Sequence, residues 1–247
     1  MRRNPQHFIN DESADLPSNS RRRFMFKSAA LLPAAVTLTA CDPKQTSSSE
    51  TPEPPHQSHK PRYFSADEWV FIQAAVARLI PSDDNGPGAV ELDVPVFIDR
   101  QMEGEFGHAA RWYMQGPFRQ AAPQFGYQSR LTPREVYRLG IAETDALCIA
   151  LHGNHFAGLS NLDQDAVLHQ LDRGEPEFIG VDAKTFFDFL RANTIEGYLA
   201  DPVHGGNKHA GSWKMIGFPG ARADYLDFVG RNQPYPYAPV GVMGKEE

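Results

Sequence analysis

The side chains best suited to chemistry in this sequence are histidines. His204 and His209 flank the run Gly205-Gly206-Asn207-Lys208, and Asp201 lies just upstream. Two imidazoles and a carboxylate so close in sequence could hold a metal ion or supply a general base. The same residues also describe a tight turn, because Gly205 and Gly206 permit positive φ and Asn207 can bond its own backbone. The turn is the reading the residue types favour. His152 and His155 stand three apart near the end of a helical pattern. They could share a face, but no third ligand can be assigned, and histidines at a helix C-terminus complement the macrodipole. Cys148 sits within an apolar helical pattern and reads as a buried, inert thiol. Gly-x-Gly-x-x-Gly after a strand, a P-loop, Cys-x-x-Cys-His and clustered cysteines are all missing from the sequence. Dinucleotide, haem and iron–sulfur fingerprints are therefore lacking, and no catalytic, cofactor-binding or metal residue is assigned to this chain.

The elements that would position these residues are helices. Ser65-Ala66-Asp67-Glu68 is a capping box, and Trp69, Ile72, Val76, Leu79 and Ile80 follow at helical spacing. Pro81 ends that helix, and residues 82–89, SDDNGPGA, are a turn-rich loop. A short helix spans Val94 to Met102, with Phe97, Ile98 and Met102 on one side. Thr132-Pro133-Arg134-Glu135 is a second capping box, with proline where no amide hydrogen is needed. Its helix runs on through Val136, Leu139, Ala142, Leu147 and Leu151. Ala166, Val167, Leu168 and Leu171 mark a shorter helix. Asp182 can cap a last one, carrying Phe186, Phe187, Phe189, Leu190, Ile195 and Tyr198. The fold class is mainly α: a compact helical domain over 63–247 with a long irregular C-terminal segment.

That segment is rich in glycine and proline, yet it holds Trp213, Met215, Ile216, Phe218, Tyr225, Phe228, Tyr235 and Tyr237. Disordered chains are poor in aromatics, so it is expected to be an ordered loop system packed on the helices or on another protein. Gly205, Gly206, Asn207, Trp213, Lys214, Met215 and Phe218 form the candidate partner interface, since interface centres favour aromatic, methionine and mixed polar contact. Trp213 and Phe218 could equally cover the protein's own core.

The N-terminal residues carry a different message. Residues 20–41, SRRRFMFKSAALLPAAVTLTAC, place three arginines before a twelve-residue apolar run, Ala29 to Ala40. Such a run reaches ~18 Å, short of the ~30 Å core of a bilayer. Basic then apolar is the order of an export signal. Ser20 to Met25, with Arg21, Arg22 and Phe24, resembles the twin-arginine signature. Leu38-Thr39-Ala40-Cys41 resembles a lipobox, in which the Cys41 thiol receives a diacylglycerol; Asp42 resembles an inner-membrane retention mark. Residues 1–40 are thus expected to be a signal peptide. Residues 41–62, dominated by Pro, Ser and charge, are expected to be a disordered tether. The expected location is the periplasm, at the outer face of the inner membrane. Removing residues 1–40 takes away six Lys/Arg and three Asp/Glu, so the net charge of −7 becomes −10 for the remainder. A surface that acidic makes nucleic acid an unsuitable partner.

Residues 194–225, TIEGYLADPVHGGNKHAGSWKMIGFPGARADY, resemble the signature of the gluconate 2-dehydrogenase subunit 3 family, and residues 80–89, IPSDDNGPGA, resemble its first-helix exit loop. The resemblance covers roughly residues 65 to 240. It implies a non-catalytic small subunit, partnered by a signal-less, FAD-containing subunit of the glucose–methanol–choline type and in some complexes by a multihaem cytochrome c. FAD and haem would belong to those partners. The small subunit would carry the assembled flavoprotein to the twin-arginine translocase. The alternatives are a stand-alone periplasmic metal-dependent enzyme using the His204/His209 loop, and a lipoprotein binding module.

Overall fold

A computed structural model of the chain describes residues 59–119 and 121–244. Arg21, Arg22, Phe24 and Cys41 lie outside the described residues. The helices are α1 (Ala66–Leu79), α2 (Val94–Glu103), α3 (Pro133–His152), α4 (Asn161–Asp172), α5 (Ala183–Leu199) and α6 (Gly211–Ile216), with short 3₁₀ turns between them. No strand occurs among the described residues, only two isolated bridges. The mainly α fold class is borne out.

Four helices, α1, α3, α4 and α5, start where a capping side chain places them, whereas α2 and α6 have no side-chain cap. The Glu68 carboxylate accepts from the Ser65 amide at 2.8 Å, and Ser65 Oγ accepts from the Glu68 amide. Glu135 accepts from both the amide and the hydroxyl of Thr132. Ser160 and Asp182 each accept from the first turn of α4 and α5. These contacts satisfy amides that lack a partner within the helix. Both α1 and α5 pack against each of the other helices from α2 to α4. Phe71, Ile72 and Val76 of α1 meet Phe186 and Leu190 of α5, with Phe97, Ile98 and Met102 of α2, in one buried cluster. Each such side chain contributes roughly 1.5–3 kcal/mol on leaving water.

Two sequence expectations need correction. The stripe of α3 is rotated from the one read by hydrophobicity. Leu151 and Ala142 are exposed, while Tyr137, Gly140, Ile141, Thr144 and Cys148 are buried. The reason is close approach. A Cβ on Gly140 would sit 2.2 Å from the Phe186 ring, so α3 lies on α5 through its smallest residue. Thr144 hides its hydroxyl by donating to the Gly140 carbonyl. The expected tether also ends sooner than residue 62. His59 and the amides of Arg62, Tyr63 and Phe64 all donate to the carboxylate of Asp99, which is fully buried on α2. Burial alone would raise the Asp99 pKa, but these bonds outweigh it and hold the carboxyl below its ordinary value. Residues 59–62 are therefore tied into the helical domain.

Candidate functional site

The two stretches that carry the family resemblance meet in space. Tyr198, near the end of α5, donates its hydroxyl to the Pro87 carbonyl in the loop after α1, at 2.8 Å. Burial, then the carboxylates of Asp83 and Glu91, push the Tyr198 phenol above its ordinary pKa, so it stays a donor. The Lys208 amide donates to Leu92 O, and Gly86 lies so close to Met215 that a Cβ there would come within 2.5 Å of its sulfur. Loop 80–92 and loop 200–216 thus form one continuous surface.

Loop 200–216 is held by the exit of α5. A helix leaves its last carbonyls without amide partners, and here three side chains supply them. The Ser212 hydroxyl lies 2.5 Å from Tyr198 O, Trp213 Nε1–H donates to Leu199 O at 2.8 Å, and Asn207 Nδ2 donates to Ala200 O at 2.8 Å. Asn207 Oδ1 in turn accepts from the Ser212 amide and lies 2.8 Å from its hydroxyl. Asn207, in the left-handed region at φ 47°, is fully buried, and Trp213 is 6% exposed. Gly206 is buried against the Gly197 carbonyl, where a Cβ would clash at 2.3 Å. Asp201 closes the arrangement: one carboxylate oxygen accepts from the Val203 amide, the other from the Val242 amide of the C-terminal segment. That segment pairs with Pro219–Ala221 through the Val240 amide and carbonyl.

The candidate interface residues therefore divide. Gly206, Asn207 and Trp213 point into the protein and build the clasp. Lys214, Met215 and Phe218 are turned outward, with Met215 42% and Phe218 45% exposed. Ile216, which the sequence reading left out, is 56% exposed beside them. Gly205 is half-buried at φ 102°, with the Arg100 guanidinium lying where its side chain would be. Phe218 packs its ring edge-on to Trp213 at 5.0 Å, so the buried indole supports the outward face.

The histidines take separate roles. His204 and His209 are exposed, and among the described residues no group of three His, Cys, Asp or Glu is placed to hold a metal ion. His152 is exposed at the end of α3, while His155 pairs with Asp145 at 3.2 Å. Cys148 is buried, and desolvation, followed by the charge of Asp145, pushes its thiol up to about 11. At neutral pH it is a protonated, unreactive group, as its sequence context indicates.

The signature residues thus lock a loop and turn a mixed apolar and cationic face, Lys214, Met215, Ile216 and Phe218, outward. The family of gluconate 2-dehydrogenase subunit 3 matches residues 66–220, from the first helix through the clasp, and the chain belongs to that family. It is thus kin to one subunit of a multi-subunit dehydrogenase, and association with other subunits of such a complex goes with that membership. No curated protein and no solved structure is a match for the chain.

Proposed function

We propose that the chain is the non-catalytic accessory subunit of a periplasmic, FAD-dependent dehydrogenase of the glucose–methanol–choline type. Its leader, with Arg21, Arg22 and Phe24, addresses the assembled pair to the twin-arginine translocase. The flavoprotein has no signal of its own, and FAD resides there; a multihaem cytochrome c can complete the complex. Cys41 carries the acyl anchor that holds the complex at the outer face of the inner membrane.

What supports this reading is the pairing of residues 20–25, which resemble a twin-arginine signature, with membership of a dehydrogenase-subunit family. A flavoprotein takes up its cofactor in the cytoplasm, so it must cross the membrane folded. A folded partner bearing the signal supplies the address. The outward residues Lys214, Met215, Ile216 and Phe218 are the docking face, backed by a clasp that fixes them before the partner arrives. Such preorganisation reduces the ordering cost of association.

Purification of the tagged chain from its native host tests the reading. A second, larger polypeptide should accompany it, with the absorption spectrum of oxidised flavin. A colourless single polypeptide that oxidised a sugar unaided would contradict it.

A further inference from the structure

A cleft of about 710 Å³ opens between α1 and α2, beside His59 and Lys60. It falls within the size range of small-ligand sites. Trp69 forms one wall, and Lys60 and Arg100 reach into it. Lys208 and two carboxylates, Glu91 and Asp93, also line it. Glu91 accepts from the Gly88 amide at 2.7 Å, and Asp93 pairs with Lys208 at 3.5 Å. Lys60 and Arg100 are both exposed, and neither is ion-paired among the described residues. Gly205 has no side chain to displace Arg100: a Cβ there would sit 2.4 Å from its Nη1. Three cations, Lys60, Arg100 and Lys208, thus face two carboxylates, which makes this aromatic-walled cleft net positive in a chain of net charge −7.

We propose that this cleft binds a phosphate ester, with Lys60 and Arg100 on the phosphate oxygens and Trp69 against the organic part. The chemistry fits two sources, an anionic phospholipid headgroup or a free phosphate ester. Guanidinium and ammonium groups both take phosphate oxygens as charge-assisted partners, and an indole suits the boundary between water and acyl chain. The headgroup source rests on the membrane-side location proposed above. Vesicles added in vitro test the cleft independently of export.

The test uses the full chain carrying R21Q, R22Q, R23Q and C41S, which removes the leader's arginine cluster and the acylation site. Sedimentation with phosphatidylglycerol vesicles, and with phosphatidylcholine vesicles, gives the headgroup arm. Titration with glycerol 3-phosphate gives the free-ester arm. Adding K60Q and R100Q should weaken phosphatidylglycerol binding by about twenty-fivefold, at roughly fivefold per cation, while phosphatidylcholine binding stays negligible. The control pair R119Q and R191Q removes the same charge from exposed positions elsewhere and should change binding less than threefold. A thermal melt of each variant shows that folding is retained; K60Q alone, at an exposed position, repeats the test if K60Q/R100Q melts early. Glycerol 3-phosphate binding that falls with the same substitutions, without vesicle binding, upholds the site and assigns it to a free ester. If neither arm responds to K60Q/R100Q, or the control pair has the same effect, the proposal is overturned.

Discussion

Asp99 and Asn207 are the two polar side chains on which most local order depends, and both are fully buried. Asp99 collects His59 and the amides of residues 62–64. Asn introduces an amide donor where donors already converge, so Asp99→Asn should cost about 2–4 kcal/mol in urea denaturation, in line with lost bonds to a charged acceptor. The pH dependence follows from the lowered native pKa. The unfolded carboxyl titrates near ~3.9. The stabilisation is therefore complete above that value and is lost as pH falls through the lower native value. Stability measured from pH 6 down to pH 3 should fall less steeply in Asp99→Asn than in the parent chain; parallel curves would remove Asp99 from the acid response. Asn207→Ala leaves the Ala200 carbonyl and the Ser212 amide without their partner. A loss of about 2–3 kcal/mol is expected, partly offset in Asn207→Gly, which accepts φ 47° without strain. Equal losses for alanine and glycine would show that the backbone conformation contributes nothing. The sequence pointed to the Asn207 turn but not to its bonds. Asp99 left only a faint trace, an acid on the apolar side of a short helix beside Phe97, Ile98 and Met102.

Helix boundaries were largely legible in the sequence, because a cap is a local event. Ser65, Thr132 and Asp182 stand where the residue types place them. The faces of the helices were legible only where large apolar residues bury themselves. In α2 the stripe of Phe97, Ile98 and Met102 is the buried one. In α3 it is so only in part: Val136 is buried, but Gly140 is buried too because it lies against the Phe186 ring of α5, a contact that depends on a partner distant in sequence. Gly140→Ala tests this contact. The added methyl must displace the Phe186 ring, at an expected cost of about 1–3 kcal/mol. Phe186→Leu should itself destabilise, but the double variant should be more stable than the sum of the two single losses predicts. Strict additivity in denaturation experiments would place the two residues out of contact. The partition of loop 200–216 into buried clasp and outward face was likewise illegible. Trp213 and Phe218 are both aromatic residues in a glycine-rich stretch, and only the unpaired carbonyls of α5 decide that the indole turns inward.

At the scale of the whole molecule, the proposed function divides the work: the helical domain supplies a fixed outward face, and the N-terminal residues supply an address. The two should be separable by mutation. Ile216→Asp with Phe218→Asp changes exposed and half-exposed side chains. It should shift the melting temperature little while abolishing recovery of the flavoprotein; a partner still recovered in full would move the docking face elsewhere. Cys41→Ser should release the mature chain from membranes, unless a membrane-bound partner retains it. The leader offers the most direct test of the escort role. With Arg21→Lys and Arg22→Lys together, fractionation of the host cell should find both this chain and the flavin-containing subunit in the cytoplasm. A flavin subunit that still reached the periplasm while this chain stayed behind would contradict the account.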